Sequence, residues 1–234
     1  MIVAVRIAER LAELRGLIGE AARLAGRRAS EVVLVAVTKN TNEAAIREAA
    51  AAGQRDFGEN YVQRGLDRAR SPDLGGLRWH LIGALQSNKA ARAARGFWLL
   101  HGLDSVSAAR AISRAMVADG STCRVLLQIK LGGGTARAGV RPDGALGFLH
   151  ELSALPGLQI DGVMGVADPA REARPQFAML RELLERLRAE GLPGAPLREM
   201  SAGMSQDYVD AILEGSTMVR IGSAIFGAPE EQNR

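Results

Sequence analysis

Among 234 residues with 30 basic side chains, only three are lysines: Lys39, Lys89 and Lys130. A lysine relieved of its proton is a nucleophile towards carbonyl carbon, so each scarce amine is a candidate for covalent chemistry. Lys39 follows VVLVAV (32–37), the most apolar run of the chain, within Thr38-Lys39-Asn40. An ammonium there is expected to be partly desolvated, which lowers its pKa and frees the amine. Position alone leaves a second reading open, a side chain that snorkels from the strand end to water. Lys89 lies in SNKAARAAR among other cations and reads as a solvated helix face. Lys130 also ends an apolar run, but it meets the glycine cluster GGGT (132–135) and ranks second.

A second chemistry is suggested near the carboxyl end. SAGMS (201–205) and IGSAIFG (221–227) place small residues and hydroxyls where helices are expected to begin. Backbone N–H groups and serine side chains converge in such places, as a phosphate requires. Ordinary loop glycines with a serine N-cap are the plainer alternative. Arg220, two residues before Gly222, is expected on the same inward face. Arginine only donates, so opposite a pyridine nitrogen it would leave that nitrogen unprotonated and the ring a poor electron sink. A phosphate counter-charge or an interior ion pair is an equal reading. A reactive lysine facing a phosphate cup suits a phosphorylated aldehyde, either pyridoxal 5′-phosphate (PLP) or a sugar phosphate in a lysine-dependent aldolase.

These residues recur at one kind of place, the junction where an apolar run gives way to a helical pattern. Glu59-Asn60, His80 with Gly83, Met164 and Gly203-Met204 occupy the same kind of junction. Strand-like runs at 32–37, 55–60, 77–83, 97–103, 123–131, 158–166, 197–201 and 217–222 alternate with helical segments, after an amphipathic helix over 4–25. Eight strand-then-helix units in this length predict an α/β fold, a single (β/α)8 TIM barrel with an extra N-terminal helix. A doubly wound open sheet is the competitor. No linker or charge block divides the chain, so residues 1–234 are expected to form one domain.

Composition narrows the function classes. The net charge of +4 is small, and its cations are dispersed among Glu and Asp. Aromatics make up 4%, which leaves little for base stacking, so nucleic acid is not an expected partner. No run approaches the roughly 20 apolar residues of a membrane span, and the start is too charged for a secretory signal. One cysteine, Cys123, cannot form an internal disulfide. A cytoplasmic protein with no metal site is expected. A monomer is the default, since no exposed apolar stripe is evident.

VAVTK (35–39), GQRDFGENYVQ (53–63), WHLIGALQSNK (79–89) and MSAGMSQDYVDAILEGSTMVRIGSAIFGA (200–228) resemble the PLP homeostasis protein family, single-domain relatives of the alanine racemase barrel. The likeness runs from about residue 3 to 228 with its motifs in register. It implies PLP held as an internal aldimine on Lys39, with Asn60 beside the cofactor and Arg220 facing the pyridine nitrogen. Ser201, Gly203, Met204, Gly222 and Ser223 fall in or beside the phosphate loops, and His80 and Met164 on neighbouring strand ends. The sequence departs from the family where a basic residue and proline usually follow the lysine; here Asn40 and Thr41 follow. A family lysine after the fifth strand is matched by Arg137, so any relay through such lysines is expected to be weaker or to take another route.

The resemblance also implies that alanine racemases take their second base, a tyrosine, from a separate β domain for which this chain has no length left. Tyr61 and Tyr208 belong to barrel helices by pattern. With one base missing and a weak electron sink, the expected role is reversible PLP binding and supply, with apo PLP-dependent enzymes as partners. The alternative is an amino-acid racemase of low activity.

Overall fold

Strand β1 (Val33–Val37) pairs in parallel with both β2 (Asp56–Glu59) and β8 (Met218–Ile221). That double pairing closes the sheet and excludes the open doubly wound alternative. The computed structural model describes residues 7–132 and 138–227. Between these strands, β3 (Arg78–Leu81), β4 (Leu99–Leu103), β5 (Cys123–Ile129), β6 (Leu158–Gly165) and β7 (Glu199–Ser201) follow in chain order round the barrel. All pairs are parallel, so a helical crossover returns the chain to the start of each new strand.

The crossovers are α2 (Glu43–Ala51), α3 (Val62–Arg70), α4 (Ser87–Ala94), α5 (Val106–Ala118), α6 (Ala145–Ser153), α7 (Ala173–Ala189) and α8 (Tyr208–Leu213). A one-turn α9 (Ser223–Phe226) follows β8. Local chemistry fixes several starts. The Asn42 side chain accepts from the Ala45 N–H at the head of α2, and Ser105 does the same for Ala108 at α5. The leading helix α1 (Ile7–Leu24) buries Leu11, Leu14, Ile18, Ala21 and Ala22 as one stripe against α2, α8 and α9. It thereby covers the helices beside the β8–β1 seam.

Alternation along the strands sorts the core into two shells. Leu34, Ala36, Phe57, Trp79, Leu100 and Val163 face the helices. Leu99, Leu126, Met164 and Met218, with Val33 and Val166, fill the lumen. This filled centre leaves chemistry only at the ends of the barrel. Each strand is shorter than its apolar run by one or more residues. The run at 197–201 pairs only from Glu199, because Leu197 adopts φ +48, outside strand geometry. Among the described residues, no helix is long and apolar enough to cross a membrane.

Candidate functional site

At the carboxyl ends of the strands, the turn after β1 is tightly clamped. The Thr41 N–H donates to the Thr38 carbonyl at 3.0 Å, and Asn40 takes φ +59. Beneath this turn lies a buried ion pair between Arg68 of α3 and Glu59 of β2. Arg68 also donates to the carbonyls of Thr38 at 3.3 Å and Thr41 at 2.6 Å. The Thr38 hydroxyl completes the clamp by donating to Glu59 Oε1 at 2.6 Å. Lys39 stands on this turn and is exposed, which selects the solvent-facing of the two readings its position leaves open. Pairing ends at Val37, and the turn lifts the lysine to the rim.

Asn60 follows β2 on the adjacent loop. Its Oδ1 is buried and has no hydrogen-bond partner among the described residues, nor has Gln128 Oε1 at the end of β5. Unmet buried acceptors are uncommon and mark places where a donor from a ligand would be welcome. A Cβ on Gly83 would overlap the Asn60 carbonyl, so glycine lets the β3 loop approach that residue.

Across the rim, the loops after β7 and β8 meet. Ser205 Oγ and Ser223 Oγ are 3.1 Å apart and exposed. Gly203 makes the approach possible, since it adopts φ +93 and a Cβ there would sit 2.7 Å from Ala211 Cβ. Gly222 lies against β1, where a Cβ would meet the Val37 carbonyl at 3.0 Å. Met204 is exposed beside this pair, its N–H donating to Asp207. Ser201, expected in the phosphate loop, is instead fully buried, and its hydroxyl contacts His101 and Arg220. As the last residue of β7 it faces the lumen; the hydroxyl four residues later faces the mouth.

Below the mouth, a polar chain crosses the lumen. Asp56 Oδ1 lies 3.0 Å from His80 Nε2, and His80 Nδ1 lies 2.9 Å from His101 Nε2. His101 Nδ1 is 2.9 Å from Ser201 Oγ, which accepts from Arg220 Nη1 at 2.6 Å. Arg220 Nη2 donates to the Gly165 carbonyl at 3.0 Å. Burial depresses both imidazoles, His101 well below the usual histidine range, with His80 and Arg220 adding to the effect. Asp56 opposes burial at His80 without overcoming it. Burial brings Arg220 down to about 10, so it remains a cation at neutral pH.

His80, expected near the strand end, lies within β3, buried between Asp56 and His101. Met164 belongs to the inner apolar cluster and offers only a packing surface. Lys89 is an exposed residue of α4, and Lys130 is half-buried, its N–H donating to Val140. Tyr61, expected on a helix, precedes α3 on the rim and is exposed. Arg137 lies outside the described residues. Cys123 has its thiol pushed up to about 12 by burial and by Asp161, so it presents no thiolate at neutral pH. Sequence reading missed His101, although a lone histidine within FWLLHGL, an otherwise apolar run, was a visible signal.

Residues 17–230 match the profile of the family described as alanine racemase, N-terminal domain. The chain is 41% identical over 226 residues to the pyridoxal phosphate homeostasis protein of Pseudomonas aeruginosa, covering 95% of each. It is 40% identical over 229 residues to the protein of that name from Escherichia coli K12, covering 95% of this chain and 96% of its relative. The solved structure of PipY from Synechococcus elongatus with PLP bound superposes with a TM-score of 0.82 at 40% identity. That match covers 95% of this chain and 100% of PipY.

Proposed function

This chain belongs to the pyridoxal phosphate homeostasis protein family, and from that premise we propose that it holds PLP as a Schiff base on Lys39 and supplies it within the cell. The carrying observation is the buried Asn60 Oδ1, unpartnered on the loop adjoining the Lys39 turn. The residues present fit the group's three parts. Lys39 offers an exposed primary amine on a clamped turn, and the Ser205–Ser223 pair offers two hydroxyls at a convergence of loops. Arg220 offers donors from below.

When bound, PLP supplies an aldehyde that an amine captures reversibly with loss of water. The Arg68–Glu59 clamp holds the backbone of the Lys39 turn, so the amine is presented from a fixed base. Gly203 and Gly222 let the two serine loops close on each other. Arg220 stays charged and can only donate, so it does not furnish the protonated ring nitrogen that full electron-sink catalysis needs. This favours storage and hand-over to apo PLP-dependent enzymes over turnover. The exposure of Lys39 suits release, because an incoming amine can reach the bond. Exposed apolar residues such as Leu24, Val117 and Leu146 are spread over separate helices, which favours a monomer.

Addition of PLP should give a visible absorption band, and borohydride reduction should fix the label on Lys39. Lys39→Ala should lose the band and keep the fold. Labelling of Lys89 or Lys130 instead would overturn the assignment. The match to the alanine racemase profile supports a second reading, a slow amino-acid racemase. Sustained α-proton exchange from a single amino-acid enantiomer in deuterated water would favour that reading.

A further inference from the structure

We propose that His80 and His101 are positioning residues that act through Ser201 to orient the buried Arg220, and that both rings are locked as the neutral Nε2–H tautomer. The argument begins at Asp56. Its carboxylate pairs with Arg78 at 2.6 Å through Oδ2 and faces His80 with Oδ1. A carboxylate only accepts, so His80 Nε2 must carry the hydrogen. A neutral ring then has a lone pair on Nδ1, and His101 must donate to it from Nε2. The lone pair of His101 consequently falls on Nδ1, which obliges the Ser201 hydroxyl to donate there. Ser201 Oγ is left with lone pairs, and Arg220 Nη1 donates to one of them.

Every hydrogen bond from Arg220 to Asp56 therefore points the same way. Each ring directs its acceptor nitrogen towards the buried cation and its N–H towards the carboxylate. Arg220 forms no ion pair among the described residues, and the one carboxylate that favours its charge, Asp207, acts without direct contact, yet Arg220 is only 4% exposed. A buried cation needs compensation, and an aligned chain of hydrogen-bonded dipoles ending on a carboxylate provides it. The second anchor, the Gly165 carbonyl, fixes the other terminal nitrogen. Together they leave one orientation for the guanidinium plane. The inference concerns the protein's own residues; its bearing on PLP alone rests on the function proposed above.

The test uses the full chain without added PLP, so its outcome is separate from whether PLP binds. The sequence has three histidines, His80, His101 and the surface His150, so nitrogen NMR of the imidazoles is readily assigned. At neutral pH, His80 and His101 should each show a protonated Nε2 and a bare Nδ1. An Nδ1–H tautomer or a doubly protonated ring at either position overturns the proposal. The link to Arg220 is read by hydrogen exchange at its Nε–H, which should quicken about tenfold in His101→Leu. His101→Gln keeps one donor and one acceptor and should restore most of the protection. If His101→Leu does not fold, Ser201→Ala removes the same support with less volume and should give the same acceleration. Unchanged exchange in the folded variant overturns the positioning role.

Discussion

Arg68 and Glu59 form an ion pair that is almost wholly buried, and the same guanidinium holds the two ends of the turn that carries Lys39. Burial lowers the pKa of Arg68, an effect that Glu59 opposes. Removing the cation strands a carboxylate that has no exposed surface and already has one oxygen without a partner. Arg68→Leu should therefore cost about 3–5 kcal/mol, the range for breaking a buried pair from one side. The double variant Arg68→Leu with Glu59→Leu should recover part of that loss, because no charge is left behind. Urea unfolding of the three proteins checks this, and a loss below about 1 kcal/mol in the single variant would show that water reaches Glu59.

The imidazoles of His80 and His101 make stability depend on pH in a definite direction. Burial is the leading cause of depression at both rings. Asp56 faces His80 and favours its charging, whereas Arg78 and Arg124 oppose it; His80 and Arg220 oppose charging of His101. The unfolded chain therefore binds more protons than the folded one once pH falls below the unfolded value of about 6.5. Stability contributed by the neutral rings is present above that pH and is lost as pH falls towards their lowered folded values. The slope is at most about 1.4 kcal/mol per pH unit for each ring. Between about pH 7 and about pH 5.5, the wild type should lose more stability in urea than the His80→Gln, His101→Gln double variant. Equal losses would mean that the rings already carry charge in the fold.

Two glycines with opposite surroundings give a test of sign. Gly83 packs on the Asn60 carbonyl, which a methyl group would overlap, and backbone cannot swing aside as a flexible side chain can. Gly83→Ala should cost about 1–3 kcal/mol by overpacking and should also displace Asn60 from the site. Gly147 lies within α6 and has nothing within 4 Å of where its Cβ would be. Gly147→Ala should stabilise the protein by about 0.5–1 kcal/mol through helix propensity. Thermal unfolding of both variants would refute this pair of assignments if the signs were the same.

Much of the architecture was readable because the eight apolar runs are separated by helical patterns that alternate without a break. VVLVAV is apolar at every position because β1 is covered on both faces, by the filled lumen and by the helices. The turn at 38–41 was not readable, since it depends on Arg68 reaching back thirty residues to Thr38. Position alone therefore leaves a desolvated and a solvent-facing Lys39 equally open, and the structure shows the solvent-facing one. The five-residue stretch SAGMS shows two hydroxyls but not which way each faces. That is decided by where β7 stops, and Leu197 delays its start. The lumen chain was hidden for a related reason: His101 and Ser201 are 100 residues apart and meet only because the barrel closes. Polar residues inside apolar runs were its one local trace.

That assignment of hydroxyls separates the roles of Ser201, Ser205 and Ser223 experimentally. Ser205 and Ser223 meet at the rim, whereas Ser201 is committed to His101 and Arg220 in the interior. If the rim pair receives the phosphate of PLP, each lost hydrogen bond to a charged group should weaken PLP binding about tenfold. Inorganic phosphate should compete with PLP less well in Ser205→Ala and Ser223→Ala than in the wild type. Ser201→Ala should leave that phosphate competition unchanged, because its hydroxyl points away from the mouth, and should alter the visible band through Arg220. Titration of PLP by absorbance, with and without added phosphate, distinguishes the three variants. Lost phosphate competition in Ser201→Ala, with normal behaviour in the other two, would return the phosphate site to the interior serine and reverse this division of roles.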